Sequence, residues 1–438
     1  MTSLDRLLDL AALPAAQIPA SARRMAQFSL FDWMVCGLAG TGEPLAVILR
    51  DLIAGEGGRP EASVFGGGKV PARAAALVNG ATSHALDYDD THFGHVGHLS
   101  VGIYPAALAA GEAMDASVAQ VVDAFLIGAE AAVRIGMILG RGHYNRGFHQ
   151  TATAGAFGAT LAAGRLFGLT RDQMRAALGL CSTRASGLKS QFGTMGKPYN
   201  AGIAAANGVE CALLAKAGFT SSDDGLMGPQ GFVATHSDAP DEAAAWAAAL
   251  PETFLFRDIK YKLHACCHGT HAMIEALTAL GRAEGIDAAQ VATITLRTNP
   301  RWLSVCDIKT PRTGLEVKFS YTWLAGMVLS DIPTSAEAIY TDALATNTTL
   351  ADFANRISVV GDAAVTDMQA VGGVTLHDGR HLPFAHDLAN RQPDAVLETA
   401  LRAKAAGLCG ADLAERLWRA VEGQGHLTAR DLAKGWRA

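Results

Sequence analysis

Closely spaced alanine and glycine residues in helical patterns most constrain how the first 262 residues of this chain can fold. Apolar side chains recur at helical spacing over 22–40, 45–54, 71–86, 104–114, 118–139, 151–167 and 171–183. This period is typical of amphipathic α-helices. Because small side chains let neighbouring helix axes come close together, the pattern predicts one large all-helical domain.

The pattern changes near residue 263. Three β-branched runs bounded by turn residues follow at 291–297, 356–360 and 373–377. Helical patterns lie among these runs at 270–282, 319–328 and 335–340. The third run ends in Asp378-Gly379, a strong hairpin signal. The sequence therefore predicts a smaller α+β domain over 263–392, and helices return after Pro393.

Charge and cysteine content exclude several classes of protein. The formal net charge is −6, and no basic cluster marks a surface for nucleic acid or an acidic membrane. The seven cysteines are an odd number without paired C-x-x-C spacing, which indicates reduced, buried thiols in a cytoplasmic protein. No uncharged apolar run reaches membrane-spanning length. We expect a soluble protein with no nucleic-acid or membrane partner.

The segment 83–100 concentrates polar chemistry in a chain that is half hydrophobic. Its carboxylates, hydroxyl and imidazoles are those of Asp87, Asp89, Asp90, Thr91, His84, His92, His95 and His98. Histidine titrates near neutral pH, so this segment favours acid/base catalysis. A metal site at His92, His95 and His98 is the rival interpretation, but their spacing would spread the rings over about 120° of a helix. An inert polar loop is the third.

Three further places carry candidate residues. His149 precedes a helix of small residues and could be a second acid/base or a hydrogen-bonded core histidine. Lys197 lies at a helix start with Pro198 in its first turn, where backbone N–H groups and the helix dipole favour a carboxylate; a solvated lysine is the alternative. The third place, 260–271, holds Lys262 and His268 beside two adjacent cysteines, whose spacing argues against a zinc site.

Four motifs in order resemble the signature segments of the MmgE/PrpD family. They are S-H-A-L-D-Y-D-D-T-H, followed by G-H-L-S, then G-K-P-Y-N-A-G-I-A-A-A-N-G, K-Y-K-L-H-A-C-C-H-G-T-H and E-V-K-F-S-Y. The resemblance covers essentially the whole chain. It implies an all-helical domain made of residues 1–262 and 393–438, an inserted α+β lid domain at 263–392, a homodimer, and chemistry that needs no metal and no cofactor.

The resemblance also implies roles for individual residues. The family's active-site loop contributes an aspartate, a threonine and a histidine, which fall on Asp87, Thr91 and His98. A second histidine falls on His149, and the two lysines fall on Lys197 and Lys262. We expect the histidines to move a proton while Asp87 orients a histidine neighbour. The substrate contacts are expected from Thr91, Lys197, Lys262 and His268. One position departs from the family pattern, because Trp323 replaces an expected tyrosine.

The expected activity is that of a metal-independent lyase acting on a small di- or tricarboxylate. A hydro-lyase similar to 2-methylcitrate dehydratase is the first expectation. The shared residues leave open an epimerase of an amino-dicarboxylate, similar to iminodisuccinate epimerase, and a cis-aconitate-type decarboxylase. From other classes, a non-catalytic carboxylate-binding protein and a zinc-dependent hydrolase also remain open.

Overall fold

The structure, a computed structural model, describes residues 1–423 and 425–436. The chain forms two compact units: Met1–Tyr261 with the chain from Cys409 onward, and Lys262–Leu408. Helices predominate, and a small mixed sheet lies in the second unit, so the prediction of a mainly α fold with a smaller α+β part is confirmed. Among the described residues, no helix has both the length and the apolar character that crossing a bilayer requires.

Eleven helices and a two-stranded ribbon make up the first unit as far as Tyr261. They are α1 (Ser3–Ala11), α2 (Ala20–Ala39), α3 (Pro44–Glu56), β1 (Ala62–Ser63), β2 (Lys69–Val70), α4 (Ala72–Ser83), α5 (Ser100–Met114), α6 (Val118–Arg146), α7 (Thr153–Leu166), α8 (Arg171–Arg184), α9 (Gly196–Lys216), α10 (Phe232–His236) and α11 (Glu242–Ala245). Helix α6 is interrupted at Gly140, where φ is +69°. The predicted helices of this region are present.

Local signals explain where several of these helices begin. Helix α8 starts at a capping box, in which the Thr170 hydroxyl accepts the Gln173 N–H and the Gln173 side chain accepts the Thr170 N–H. Helix α6 begins with the same arrangement at Ser117 and Gln120. Such caps satisfy backbone donors that have no partner inside the helix.

Glycine allows backbone-to-backbone contact where α4 meets α9. A Cβ placed on Gly80 would lie 2.9 Å from the Gly202 Cα, and one on Gly202 would collide with the Leu77 carbonyl oxygen. Helices α6 and α7 touch in the same way at Gly128 and Gly158. The small residues noted in the sequence therefore set the distances between helices.

The second unit combines helices with a four-stranded sheet. Its elements are α12 (His271–Glu284), β3 (Val291–Thr298), α13 (Gly314–Val317), α14 (Tyr321–Leu329), α15 (Asp342–Ala345), α16 (Thr348–Ala354), β4 (Ile357–Gly361), β5 (Gln369–Leu376), β6 (His381–Asp387) and α17 (Asp394–Cys409). The strand order is β4-β3-β5-β6, with β3 and β4 parallel and the other pairs antiparallel. The turn at Asp378-Gly379 joins β5 to β6, as predicted.

One predicted helix of the second unit is wrong. Residues 335–340 form only a short 3₁₀ turn, Glu337–Ile339. Pro333 lies just before this stretch, the Tyr340 hydroxyl donates to the Thr334 carbonyl oxygen at 2.9 Å, and Lys318 binds Glu337, so side-chain contacts hold the segment in an irregular path.

The chain re-enters the first unit through its last two helices, α18 (Ala411–Glu422) and α19 (Ala429–Lys434). Trp418 of α18 packs edge-on against Phe31 with ring centroids 5.1 Å apart, and it stacks on Phe28 at 6.0 Å. Helix α19 follows a capping box at Thr428. In this division α17 belongs to the second unit, and the domain limits expected from the sequence stay a prediction.

We expect Gly202→Ala to destabilise the first unit, because the added methyl group collides with α4. Overpacking of this kind costs about 1–3 kcal/mol. Gly55→Ala is the matched control, since a Cβ at this helical glycine meets nothing within 4 Å, and replacing an exposed helical glycine by alanine stabilises by up to about 1 kcal/mol. Urea denaturation measures both. Equal stability of the two variants would contradict the close contact.

Candidate active site

Most of the polar segment 83–100 is a loop that connects α4 to α5. Helix α4 ends at Ser83, and Asp87 adopts a left-handed backbone with φ +51°. At the far end, the buried Asp90 carboxylate accepts the Ser100 N–H at 3.2 Å and binds the Ser100 hydroxyl. The Ser29 hydroxyl also donates to Asp90, at 3.2 Å. Asp90 therefore anchors the loop to the start of α5.

Asp89 lies between two histidines of this loop. Its Oδ1 accepts from the Nδ1 of His84 at 2.8 Å, and its Oδ2 lies 2.8 Å from the Nδ1 of His98. The second contact is short but lacks hydrogen-bond geometry. The two imidazole rings are 4.4 Å apart. All solvent is excluded from the Asp89 and His84 side chains.

Burial and charge act against each other in this cluster. Burial alone would raise the pKa of Asp89, but the charges and hydrogen bonds of His84 and His98 outweigh it and hold the pKa well below its usual range. Burial lowers the pKa of His84 to about 4, and the Asp89 carboxylate only partly opposes this. At neutral pH the loop therefore holds an ionised Asp89 next to a neutral His84.

Asp87 links His98 to the lysine of the next motif. Its Oδ1 lies 3.6 Å from the Nε2 of His98, and its Oδ2 lies 2.7 Å from the Nζ of Lys197. The His98 ring is thus flanked by a carboxylate on each nitrogen. The Lys197 side chain is 16% exposed and that of Asp87 32%. This edge of the cluster is open to solvent, whereas the Asp89 side is closed.

The start of α9 differs from the anion-binding corner that the sequence suggests. The Gly196 N–H donates to the Thr194 hydroxyl at 3.0 Å, and the Lys197 N–H donates to the Thr194 carbonyl oxygen at 3.1 Å. Pro198 has no N–H to offer. Because these donors are occupied or missing, the positive charge available at this terminus is that of the Lys197 ammonium group.

His149 lies just before α7, and its ring is almost fully buried. Its Nδ1 is 3.1 Å from the amide nitrogen of Asn200, and its ring packs edge-on against Phe192 with centroids 5.0 Å apart. The His84 ring lies 6.3 Å away in a stacked arrangement. Burial is the largest cause that lowers the pKa of His149 well below its usual value, and the charges of His84 in its protonated form and of Lys197 lower it further. His149 is therefore neutral at physiological pH.

The structure brings together four of the residues predicted from the sequence, namely Asp87, His98, His149 and Lys197. Thr91 lies in the same loop, partly exposed, and its backbone pairs with that of Lys260. Sequence reasoning assigned no role to His84, Asp89 or Asn200, although these three contact the predicted histidines. The first two belong to the conspicuous polar segment, so they could have been singled out.

His92, His95 and His98 do not converge on one metal ion. The Nε2 of His92 bonds the Leu255 carbonyl oxygen at 2.9 Å, and the Nδ1 of His95 bonds the Ala132 carbonyl oxygen at 3.0 Å. Within residues 1–423 and 425–436, a different group meets the distance condition for a metal ion, with ligand atoms within 4.8 Å of one another: His84, Asp87, Asp89 and His98. Contacts among these four side chains already occupy some of the atoms that would bind the ion.

Lys262 and His268 belong to the second unit, where both side chains are buried. The rings of His268 and His271 lie 4.5 Å apart. Burial, followed by the charge of His268 and other neighbours including Lys262, lowers the pKa of His271 well below its usual value. Burial raises the pKa of Cys266 to about 12, so this thiol is protonated at neutral pH in the structure.

Two family models match the chain, one within each of the two units. The MmgE/PrpD N-terminal domain matches residues 10–244, and the MmgE/PrpD C-terminal domain matches residues 264–390. The chain belongs to the MmgE/PrpD family. The resemblance seen in the four sequence motifs is therefore confirmed.

Several curated members of the MmgE/PrpD family are similar to this chain. The cis-aconitate decarboxylase-like protein oryM of Aspergillus oryzae is 32% identical over 289 residues, which are 62% of this chain and 59% of that protein. Cis-aconitate decarboxylase of Aspergillus terreus is 32% identical over 62% of this chain and 58% of its own length. The human cis-aconitate decarboxylase is 27% identical over 48% and 44%. The match thus spans less than two thirds of each relative.

Trp323, which stands where the MmgE/PrpD pattern has a tyrosine, lies in the second unit. Trp323 is buried in α14 and donates its indole N–H to the Leu344 carbonyl oxygen at 3.2 Å. The neighbouring Tyr321 hydroxyl donates to the Gly269 carbonyl oxygen at 2.8 Å and contacts the Thr298 hydroxyl at 3.1 Å.

Protonation of buried His95 should make stability fall in acid. Burial, with the charge of His92 as the next cause, lowers the pKa of His95 to about 3, while the unfolded chain takes up this proton near pH 6.5. Between pH 6.5 and about 3, this group therefore lowers the free energy of unfolding by up to about 1.4 kcal/mol for each unit by which the pH falls. His95→Asn keeps a donor for Ala132 but cannot titrate. Its free energy of unfolding, measured in urea between pH 7 and 5, should depend less on pH than that of the wild type, and an identical slope would contradict the assignment.

Proposed function

We propose that this MmgE/PrpD member is a lyase that acts on a small di- or tricarboxylate by moving a proton at the carbon next to a carboxylate. The observation that carries the proposal is the position of the His98 ring between two carboxylates, 2.8 Å from Asp89 and 3.6 Å from Asp87. A base in this position can accept a proton, because the flanking carboxylates balance the resulting positive charge.

Lys197 supports the carboxylate part of the proposal. Removing a proton next to a carboxylate places negative charge on its oxygens, and a nearby ammonium group stabilises that charge. One direction of the Lys197 ammonium is taken by Asp87 at 2.7 Å, and a lysine has three N–H donors. The remaining donors can serve a substrate oxygen at the partly exposed edge of the cluster.

The other assigned residues follow from the family resemblance. Thr91 is proposed to hydrogen-bond a substrate oxygen, and Lys262 and His268 are proposed as further substrate ligands. Each of these roles stays a prediction. A homodimer and activity without a metal are proposed on the same basis.

Three reactions can involve such a proton transfer. Loss of a β-hydroxyl group would make the protein a hydro-lyase similar to 2-methylcitrate dehydratase, and Trp323 in place of the tyrosine of the decarboxylase pattern favours this candidate. Decarboxylation of a cis-aconitate-like acid is the second candidate, favoured by the names of the Aspergillus relatives. Reprotonation on the opposite face would instead give an epimerase.

Proton NMR in heavy water tests the proposal. The purified, chelator-treated protein is incubated with 2-methylcitrate, citrate, cis-aconitate and amino-dicarboxylates. We expect deuterium to enter a carbon next to a carboxylate, and the product (alkene, decarboxylated acid or epimer) identifies the reaction. Deuterium exchange that occurs only after zinc is added would overturn the proposal that the activity needs no metal. Binding of these acids without exchange would indicate a carboxylate-binding protein instead.

Removing either central histidine should abolish most of the activity. A positioned acid or base contributes about 10²–10⁴-fold to the rate, so we expect His98→Asn and His149→Asn each to lower kcat by at least about 10²-fold. His377→Asn is the control, since this exposed histidine follows β5 in the second unit. Steady-state kinetics on the substrate found by NMR measures the effect. Unchanged turnover in both variants would end the acid/base proposal.

Replacing Lys197 tests whether its charge binds the substrate. Lys197→Met keeps the apolar stem and removes the charge, so we expect a KM at least about 10-fold higher, since about 1.4 kcal/mol of lost attraction is tenfold in affinity. Lys216→Met, at the exposed far end of the same helix, is the control. Equal KM values for the two variants would show that Lys197 does not bind the substrate.

A further inference from the structure

The two central histidines have partners of opposite hydrogen-bonding character. Asn200, buried in the first part of α9, presents its amide nitrogen to the Nδ1 of His149 at 3.1 Å. Asp89 presents a carboxylate oxygen to the Nδ1 of His98 at 2.8 Å. An amide nitrogen can only donate and an ionised carboxylate can only accept. The partners thus determine which ring nitrogen carries the proton.

The orientation of the Asn200 amide is decided by a second contact. The same amide nitrogen lies 3.3 Å from the carbonyl oxygen of Leu188. A backbone carbonyl oxygen only accepts, so a reversed amide would place two oxygens against each other. The amide nitrogen therefore faces both Leu188 and His149. It follows that the Nδ1 of His149 accepts, and that the ring proton of His149 is on Nε2.

The opposite argument applies to His98. A lone pair on Nδ1 would lie 2.8 Å from a negatively charged oxygen of Asp89, which electrostatics disfavours even though the two atoms lack hydrogen-bond geometry. The other oxygen of Asp89 is held by the Nδ1–H of His84 at 2.8 Å, so the carboxylate cannot turn away without losing that bond. The ring proton of neutral His98 therefore stays on Nδ1. Its Nε2, which faces Asp87 at 3.6 Å, carries the lone pair.

We propose that Asp89 and Asn200 are positioning residues that impose opposite tautomers on His98 and His149, so that His98 is the base and His149 a hydrogen-bond donor. The proposal rests on the proposed function for its catalytic part. In the proton-removing direction, the substrate C–H bond breaks and an N–H bond forms at the Nε2 of His98. The electron pair moves to the substrate carboxylate as an enediolate. The Nε2–H group of His149 donates a hydrogen bond to an oxygen of this anion, and His149 keeps its proton.

Nitrogen NMR of the histidine rings tests the tautomers without any substrate. The full chain is labelled with ¹⁵N-histidine, long-range ¹H–¹⁵N correlations are recorded near pH 7, and the His98→Asn and His149→Asn spectra assign the signals. We expect the proton on Nδ1 of His98 and on Nε2 of His149. The same tautomer for both rings, or the reverse pair, would overturn the proposal. Because no activity is needed, this result is independent of whether the proposed reaction is found.

Asn200→Asp is designed to reverse one tautomer. The new carboxylate accepts where the amide donated, so the proton of His149 should move to Nδ1. A wrong histidine tautomer costs about 10⁴ in kcat in the serine-protease triad, and we expect a loss of about 10²–10⁴-fold here, with KM changed less than about threefold. Asn207→Asp is the matched control, because Asn207 lies two turns further along α9 and its side chain bonds to Arg184. It should keep both tautomers and the activity.

Asn200→Ala and Asp89→Asn cover the case in which a buried new charge unfolds the protein. Asn200→Ala removes the donor, so both His149 tautomers should appear, with a smaller loss of kcat than in Asn200→Asp. Asp89→Asn should release Nδ1 of His98 in the same way. Loss of activity with both wild-type tautomers retained would show a merely structural role and overturn the proposal. Reversed or mixed tautomers as described would support it.

Discussion

Helices α4 and α9 touch backbone to backbone at Gly80 and Gly202, and the geometry of the candidate site depends on this contact. Helix α4 leads directly into the loop that holds Asp87, and α9 begins at the turn that holds Lys197. The ion pair between these two residues, with 2.7 Å between its atoms, therefore spans the ends of two helices that glycine allows to meet. A fold rich in small side chains thus serves chemistry by bringing charged groups from distant parts of the chain within hydrogen-bonding distance.

The same packing excludes water from the closed side of the cluster. An ionised carboxylate without solvent is costly unless hydrogen bonds and opposite charge compensate for it. Asp89 obtains this compensation from the imidazoles next to its two oxygens. Asp90 accepts from the N–H and hydroxyl of Ser100 and the hydroxyl of Ser29, but burial outweighs the hydrogen bonds of Ser100 and raises its pKa. The low-dielectric surroundings strengthen these interactions. One carboxylate therefore arranges the rings, while its neighbour holds the loop on the helix that follows.

Much of the fold follows from local sequence, since helical periods, the box at Thr170 and Gln173, and the turn at Asp378 all act over a few residues. The irregular path of 335–340 depends on side-chain contacts from elsewhere in the second unit, and periodicity cannot predict these. In the site, the polar segment was conspicuous, but the pairing of its members was not. His84 meets Asp89 only because the chain turns through the left-handed Asp87. Asn200 reaches His149 across fifty residues of sequence, and a single amide in a helix carries no local signal.

The first unit is discontinuous in the chain, which matters for synthesis on the ribosome. Residues Lys262–Leu408 must be translated before α18 exists. At about 5–20 residues per second, that takes about 7–30 s. During this interval Phe28 and Phe31 lack the indole ring that later covers them. The nascent helical unit therefore carries an exposed aromatic face for many seconds, a binding opportunity for chaperones that a contiguous domain of the same size would not present.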